Sequence, residues 1–87
     1  MKKIDHIGVA VKNLEASNDL FSKLFNRKPF HHETLETQQL NVSFFKLEDT
    51  KVELLEPISE KSTVHKFLQT KGEGIHHAGC RQHQCDA

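Results

Sequence analysis

The chain has 87 residues, enough for one domain with a thin core. Twelve Lys and Arg balance twelve Asp and Glu, so the formal charge is zero with histidine neutral, which argues against a nucleic-acid or membrane-surface protein, since both carry a basic excess. The opening Met1-Lys2-Lys3-Ile4-Asp5 lacks an apolar signal segment and no stretch approaches the ~20 apolar residues of a membrane span, so the expectation is a cytoplasmic protein without membrane or nucleic-acid partners.

Ile4 to Val11 alternates: Ile7, Val9 and Val11 share one face, and Ile4, His6, Gly8 and Ala10 the other. Asn13 is placed to cap a helix on which Leu20, Phe21, Leu24 and Phe25 recur at helical spacing. That helix should end near Asn26-Arg27, because Pro29 disfavours helical geometry at Lys28. Phe30 to Glu36 forms a polar strand candidate, and Leu40, Val42 and Phe44 alternate with Asn41, Ser43 and Phe45 in a better one. Glu48-Asp49-Thr50 reads as a turn into a strand over 51–56, stopped at Pro57. Ser62 then caps a short helix carrying Val64, Phe67 and Leu68, and Gly72 and Gly74 release the chain into a strand opening with Ile75-His76-His77. The last segment, from Gly79 to Ala87, has no periodicity and almost no apolar content.

Glu53 falls mid-strand between Val52 and Leu54, where a carboxylate is costly to bury unless it is paired or bound to a cation. His6 and His77 occupy two other strands. Two imidazoles and a carboxylate suit divalent first-row metals, and three protein ligands leave positions open for water or substrate. The three are far apart in sequence and no local motif joins them, so exposed strand histidines and an edge glutamate are the competing reading. His31 and His32 should face opposite sides of their strand, and His65 should be a surface residue. Cys80, His83 and Cys85 are spaced too closely for a structural zinc site, and a disulfide between the cysteines is not expected in a reducing compartment.

The run Ile4-Asp5-His6-Ile7-Gly8-Val9-Ala10-Val11 resembles the first strand of the vicinal oxygen chelate (glyoxalase/bleomycin resistance) superfamily. Asp49-Thr50-Lys51-Val52-Glu53-Leu54-Leu55-Glu56-Pro57, Ser62-Thr63-Val64-His65-Lys66-Phe67-Leu68 and Gly72-Glu73-Gly74-Ile75-His76-His77-Ala78 are similar to its methylmalonyl-CoA epimerase branch. The resemblance covers residues 3–78 and implies an α+β fold: one βαβββ module, with the first strand of a second, over residues 1–78, and an irregular non-family tail over 79–87. It implies metal-assisted α-proton transfer interconverting the epimers of methylmalonyl-CoA, an acyl-CoA substrate, a homodimer, and a divalent cofactor that could be cobalt, manganese, nickel, zinc or magnesium. His6, Glu53 and His77 match three of the family's four metal ligands. The fourth, a glutamate late in the second module, has no counterpart here. A second acid–base group of the family lies on the strand matching Leu40 to Phe45, where this chain has Asn41, Val42 and Ser43, so its catalytic residues stay unassigned.

These departures lead to the expectation of a truncated chain. Shifting the reading frame by one base from Ala78 permits Leu-Ala-Val-Asp-Ser-Ile-Asn-Val-Met, whose character matches the family's segment after the double histidine, so the tail reads as a frameshift product. Two alternatives stand beside the epimerase: a glyoxalase I-type isomerisation on the same ligands, and a non-enzymatic metal-binding dimerisation fragment.

Overall fold

The computed structural model describes residues 4–80. Seven elements run in the order β1 (Ile4–Ala10), α1 (Leu14–Phe25), β2 (His31–Leu35), β3 (Leu40–Leu47), β4 (Thr50–Pro57), α2 (Thr63–Lys71) and β5 (Gly74–Cys80). The strands form one mixed sheet in the order β2-β3-β4-β1-β5. β1 runs parallel to β4 and antiparallel to β5, while β2, β3 and β4 form an antiparallel meander. This is the α+β arrangement expected from the strand–helix–three-strand order. Regular structure continues through Cys80, two residues into the segment expected to be irregular; Arg81 onward, with His83 and Cys85, lies outside the described residues.

The two helices cover opposite faces of the sheet. On one, Val11, Phe45, Val52 and Leu54 are buried beneath Leu14, Phe21 and Phe25 of α1. On the other, Ala10, Leu40, Val42 and Leu55 pack with Val64, Phe67 and Leu68 of α2. Strand alternation produces both clusters from one β4 sequence, because Val52 and Leu54 point one way and Leu55 the other. Phe45 is fully buried and meets Phe25 edge-on at 5.5 Å between ring centroids; burial of such a side chain stabilises the fold by about 1.5–3 kcal/mol.

Both helix starts use the expected caps. The Asn13 side chain accepts from the Ala16 N–H (2.9 Å), and the Ser62 hydroxyl accepts from the Val64 N–H (3.2 Å). The Glu56 carboxylate accepts from the Leu14 N–H at 2.8 Å and from Asn41 Nδ2 at 3.2 Å, joining β4, β3 and the electropositive start of α1. Of the apolar residues that recur on α1, Phe21 and Phe25 reach the core, whereas Leu20 and Leu24 are 55% and 66% exposed. Among the described residues no helix is long and apolar enough to cross a membrane.

Candidate metal centre

The register across β4, β1 and β5 builds the site. Gly8 stands opposite Glu53 on one side and His77 on the other. Neighbouring strands are about 4.8 Å apart, so these two side chains flank the glycine directly. His6 is two residues from Gly8 on the same strand and therefore shares its face. His6, Glu53 and His77, scattered in sequence, thus surround one residue without a side chain, on the sheet face that α2 partly covers. The alternative of an edge glutamate is overturned: β4 lies between β3 and β1, and Glu53 is half-buried.

Gly8 is the floor of this arrangement. A Cβ added there would come within 2.7 Å of His77 Nδ1 and 2.8 Å of Nε2, so the imidazole lies flat over the space a larger residue would fill. Glycine is required here by close approach, and it leaves a cradle above β1. The His6 and His77 rings meet edge to face at 5.3 Å between centroids. Two imidazoles bonded to one divalent ion at about 2.1 Å would have ring centroids roughly 5 Å apart, so this spacing fits shared coordination. As the side chains lie, no three His, Cys, Asp or Glu groups among the described residues stand close enough to hold an ion. The backbone register places the three donors around Gly8, and closure of a site requires their side chains to draw together.

The electrostatics suit a cation. Burial pushes the Glu53 carboxyl above its ordinary range; the charges of His6 and Lys51 oppose this, and those of Asp5 and Glu33 add to it. Burial also holds His77 below the usual imidazole value, with His6 and His76 acting in the same direction. The neutral imidazole, with its lone pair available, is the form a metal needs.

Three features of the face escaped the sequence reading. On the register line through Gly8, Phe44 of β3 stands beside Glu53, and His31 of β2 beside Phe44, with a ring separation of 5.4 Å. His31 Nε2 is 3.0 Å from Glu33 Oε1, so this edge carries an imidazole–carboxylate pair, while His32 turns to the opposite face and meets Asn18 of α1 at 3.4 Å. The third is His76, whose ring lies against Phe67 of α2 at 5.0 Å and whose Nδ1 is 3.0 Å from Nδ1 of His77. A glycine between apolar strand residues, and a doubled histidine, were the available signals for the cradle and for His76. His65 is half-buried, a modest departure from the expected surface position.

Residues 5–87 match the Glyoxalase/Bleomycin resistance protein/Dioxygenase superfamily. The Bacillus subtilis (strain 168) protein YqjC, of uncharacterised function, is 40% identical over 77 residues, 88% of this chain and 55% of its own length. Mitochondrial methylmalonyl-CoA epimerase of Dictyostelium discoideum is 34% identical over 76 residues, 86% of this chain and 46% of its own. A crystallised variant of Streptomyces coelicolor methylmalonyl-CoA epimerase, in complex with 2-nitronate-propionyl-CoA, superposes with a TM-score of 0.86 at 34% identity, covering 92% of this chain and 60% of that one. The chain therefore spans about half the length of the curated relatives it matches.

Proposed function

Because the chain belongs to the glyoxalase/bleomycin resistance protein/dioxygenase superfamily, we propose that its site serves methylmalonyl-CoA epimerisation, with His6, Glu53 and His77 as divalent-metal ligands. The observation that carries this reading is the register that sets all three donors around Gly8. The epimerase relatives supply the substrate class, an acyl-CoA thioester with an acidic α-carbon.

A divalent ion bound at the floor supplies Lewis-acid stabilisation for negative charge developing on the thioester oxygen. His6 and His77 contribute neutral nitrogen donors and Glu53 a carboxylate that burial leaves poorly solvated, so a cation is favoured there. Beside them, Leu40, Val42 and Phe44 of β3 form an apolar wall that excludes water and strengthens the field felt by a bound substrate. None of these wall side chains can carry a proton. Among the described strand residues of this face, Glu33 is the carboxylate other than Glu53, and it is held by His31. Epimerisation calls for acid–base groups on both sides of the α-carbon. β2 and β5, the edges of the sheet among the described strands, offer the means for a second copy of the chain to complete the enclosure.

The test is incubation of the Co²⁺-loaded chain with methylmalonyl-CoA in D₂O, following deuterium at the α-carbon by mass spectrometry, with the oligomeric state read by sedimentation of the same sample. Exchange above that of the Glu53→Ala chain is expected. Equal exchange in the two would refute the assignment.

A further inference from the structure

The pairing of β5 with β1 contains an irregularity whose position is informative. Gly8 pairs with His77 and the next residue, Val9, pairs with Ile75, so β5 contributes one extra residue at this point, and that residue is His76. In a regular strand His76 and His77 would point to opposite faces. A bulge breaks the alternation and re-aims a side chain, a device that recurs beside functional sites. Here it lets the His76 ring turn to the α2 face, where Phe67 supports it edge-on at 5.0 Å and its Nδ1 reaches Nδ1 of His77 at 3.0 Å.

A nitrogen–nitrogen hydrogen bond of this length needs one N–H and one lone pair. If His77 donates, its Nε2 keeps a free lone pair; if His76 donates, the Nδ1 lone pair of His77 is used in the bond and its Nε2 carries the proton. His77 lies over Gly8 and beside His6, so its Nε2 is the nitrogen left for the cradle if Nδ1 is engaged by His76. We infer that His76 is a positioning residue: it accepts the Nδ1 proton of His77 and so presents the Nε2 lone pair of His77 to a divalent cation. This rests on the metal reading proposed above. Outer partners of this kind set both the tautomer and the orientation of a ligating imidazole. In this chain the partner comes from the ligand's own neighbour in sequence, made available by the bulge, and it links the site to α2 through Phe67.

The experiment uses the full chain and three proteins: wild type, His76→Phe and His76→Asn. Phenylalanine keeps a ring against Phe67 and removes the acceptor, whereas asparagine places an oxygen near the position of the lost Nδ1. Long-range ¹H–¹⁵N spectra of the metal-free chain read the His77 tautomer, and calorimetric titration with Co²⁺ alone reads affinity. The expected result is an Nδ1–H tautomer in wild type, a shift towards Nε2–H in His76→Phe with Co²⁺ affinity about 10–100-fold weaker, and recovery of most of that loss in His76→Asn. An Nε2–H tautomer in the metal-free wild type, or a His76→Phe affinity within about two-fold of wild type, overturns the role of His76. A wild-type chain that binds no Co²⁺ overturns the metal centre, and the proposed function with it.

Discussion

Replacing Gly8 by alanine separates the fold from the site more cleanly than removal of any ligand. The new Cβ would lie 2.7 Å from Nδ1 and 2.8 Å from Nε2 of His77, about 1 Å inside the ~3.5–4.0 Å optimum for non-bonded heavy atoms. The atoms in the way belong to a side chain, so the ring can swing aside while β1 and β5 stay paired. Overpacking costs about 1–3 kcal/mol where the surroundings cannot yield, and removing a glycine from a strand interior returns about 0.5–1 kcal/mol. The net loss is therefore about 0–2.5 kcal/mol, at roughly 4–8 °C in Tm per kcal/mol for a domain of this size. Metal ligation is far less forgiving, since donor distances must hold to about ±0.2 Å. A ring displaced by about 1 Å is expected to weaken Co²⁺ binding by at least the ~10–100-fold that disturbing an outer partner causes. The assay is paired: thermal unfolding by circular dichroism, and calorimetric titration with Co²⁺. A Gly8→Ala chain that binds Co²⁺ like wild type would refute the cradle, and a collapse in Tm without folded protein would assign Gly8 to packing instead.

Glu53→Gln is expected to move stability and metal binding in opposite directions. Burial raises the folded-state pKa of Glu53 above its unfolded value, so the folded chain binds the proton more tightly and its stability falls as pH rises through the folded pKa. At neutral pH the ionised carboxylate opposes folding; the metal-free variant should melt higher than wild type there, the gap closing as pH drops below the ordinary carboxyl range, while Co²⁺ binding is lost. A variant less stable than wild type at neutral pH would contradict this. Ser43 is fully buried and its hydroxyl has no hydrogen-bond partner among the described residues, so Ser43→Ala should stabilise by about 1 kcal/mol in denaturant unfolding. A loss of similar size would reveal that the hydroxyl is satisfied.

β3 presents apolar side chains to the face that carries His6 and Glu53, and the structure shows what a carboxylate there would meet. Val42 is buried in the cluster with Ala10, Leu55 and Val64, where a charge would have to be desolvated. Glu33 is Val42's neighbour on β2. It contributes to the field at Glu53.

Local physics determined much of this protein from sequence alone. Asn13, Ser62, Pro29 and Gly72 mark helix ends through cap chemistry and backbone restriction. Strict alternation in β1 and β4 set Val9, Val11, Val52 and Leu54 against α1 and left His6, Glu53 and Gly8 on the other face. His6, Glu53 and His77 were legible as candidate ligands because each is a metal-binding residue type in a strand, with the family resemblance selecting among the other histidines. Their convergence was not legible, because it depends on strand order: β4 pairs with β1 although a helix and two strands intervene, and parallel pairing leaves no turn signal between the two. The place of Gly8 beneath His77, and the bulge that turns His76 onto the same face, are consequences of register. Periodicity says which face a residue takes, and only hydrogen-bonded pairing between distant segments decides what it meets there.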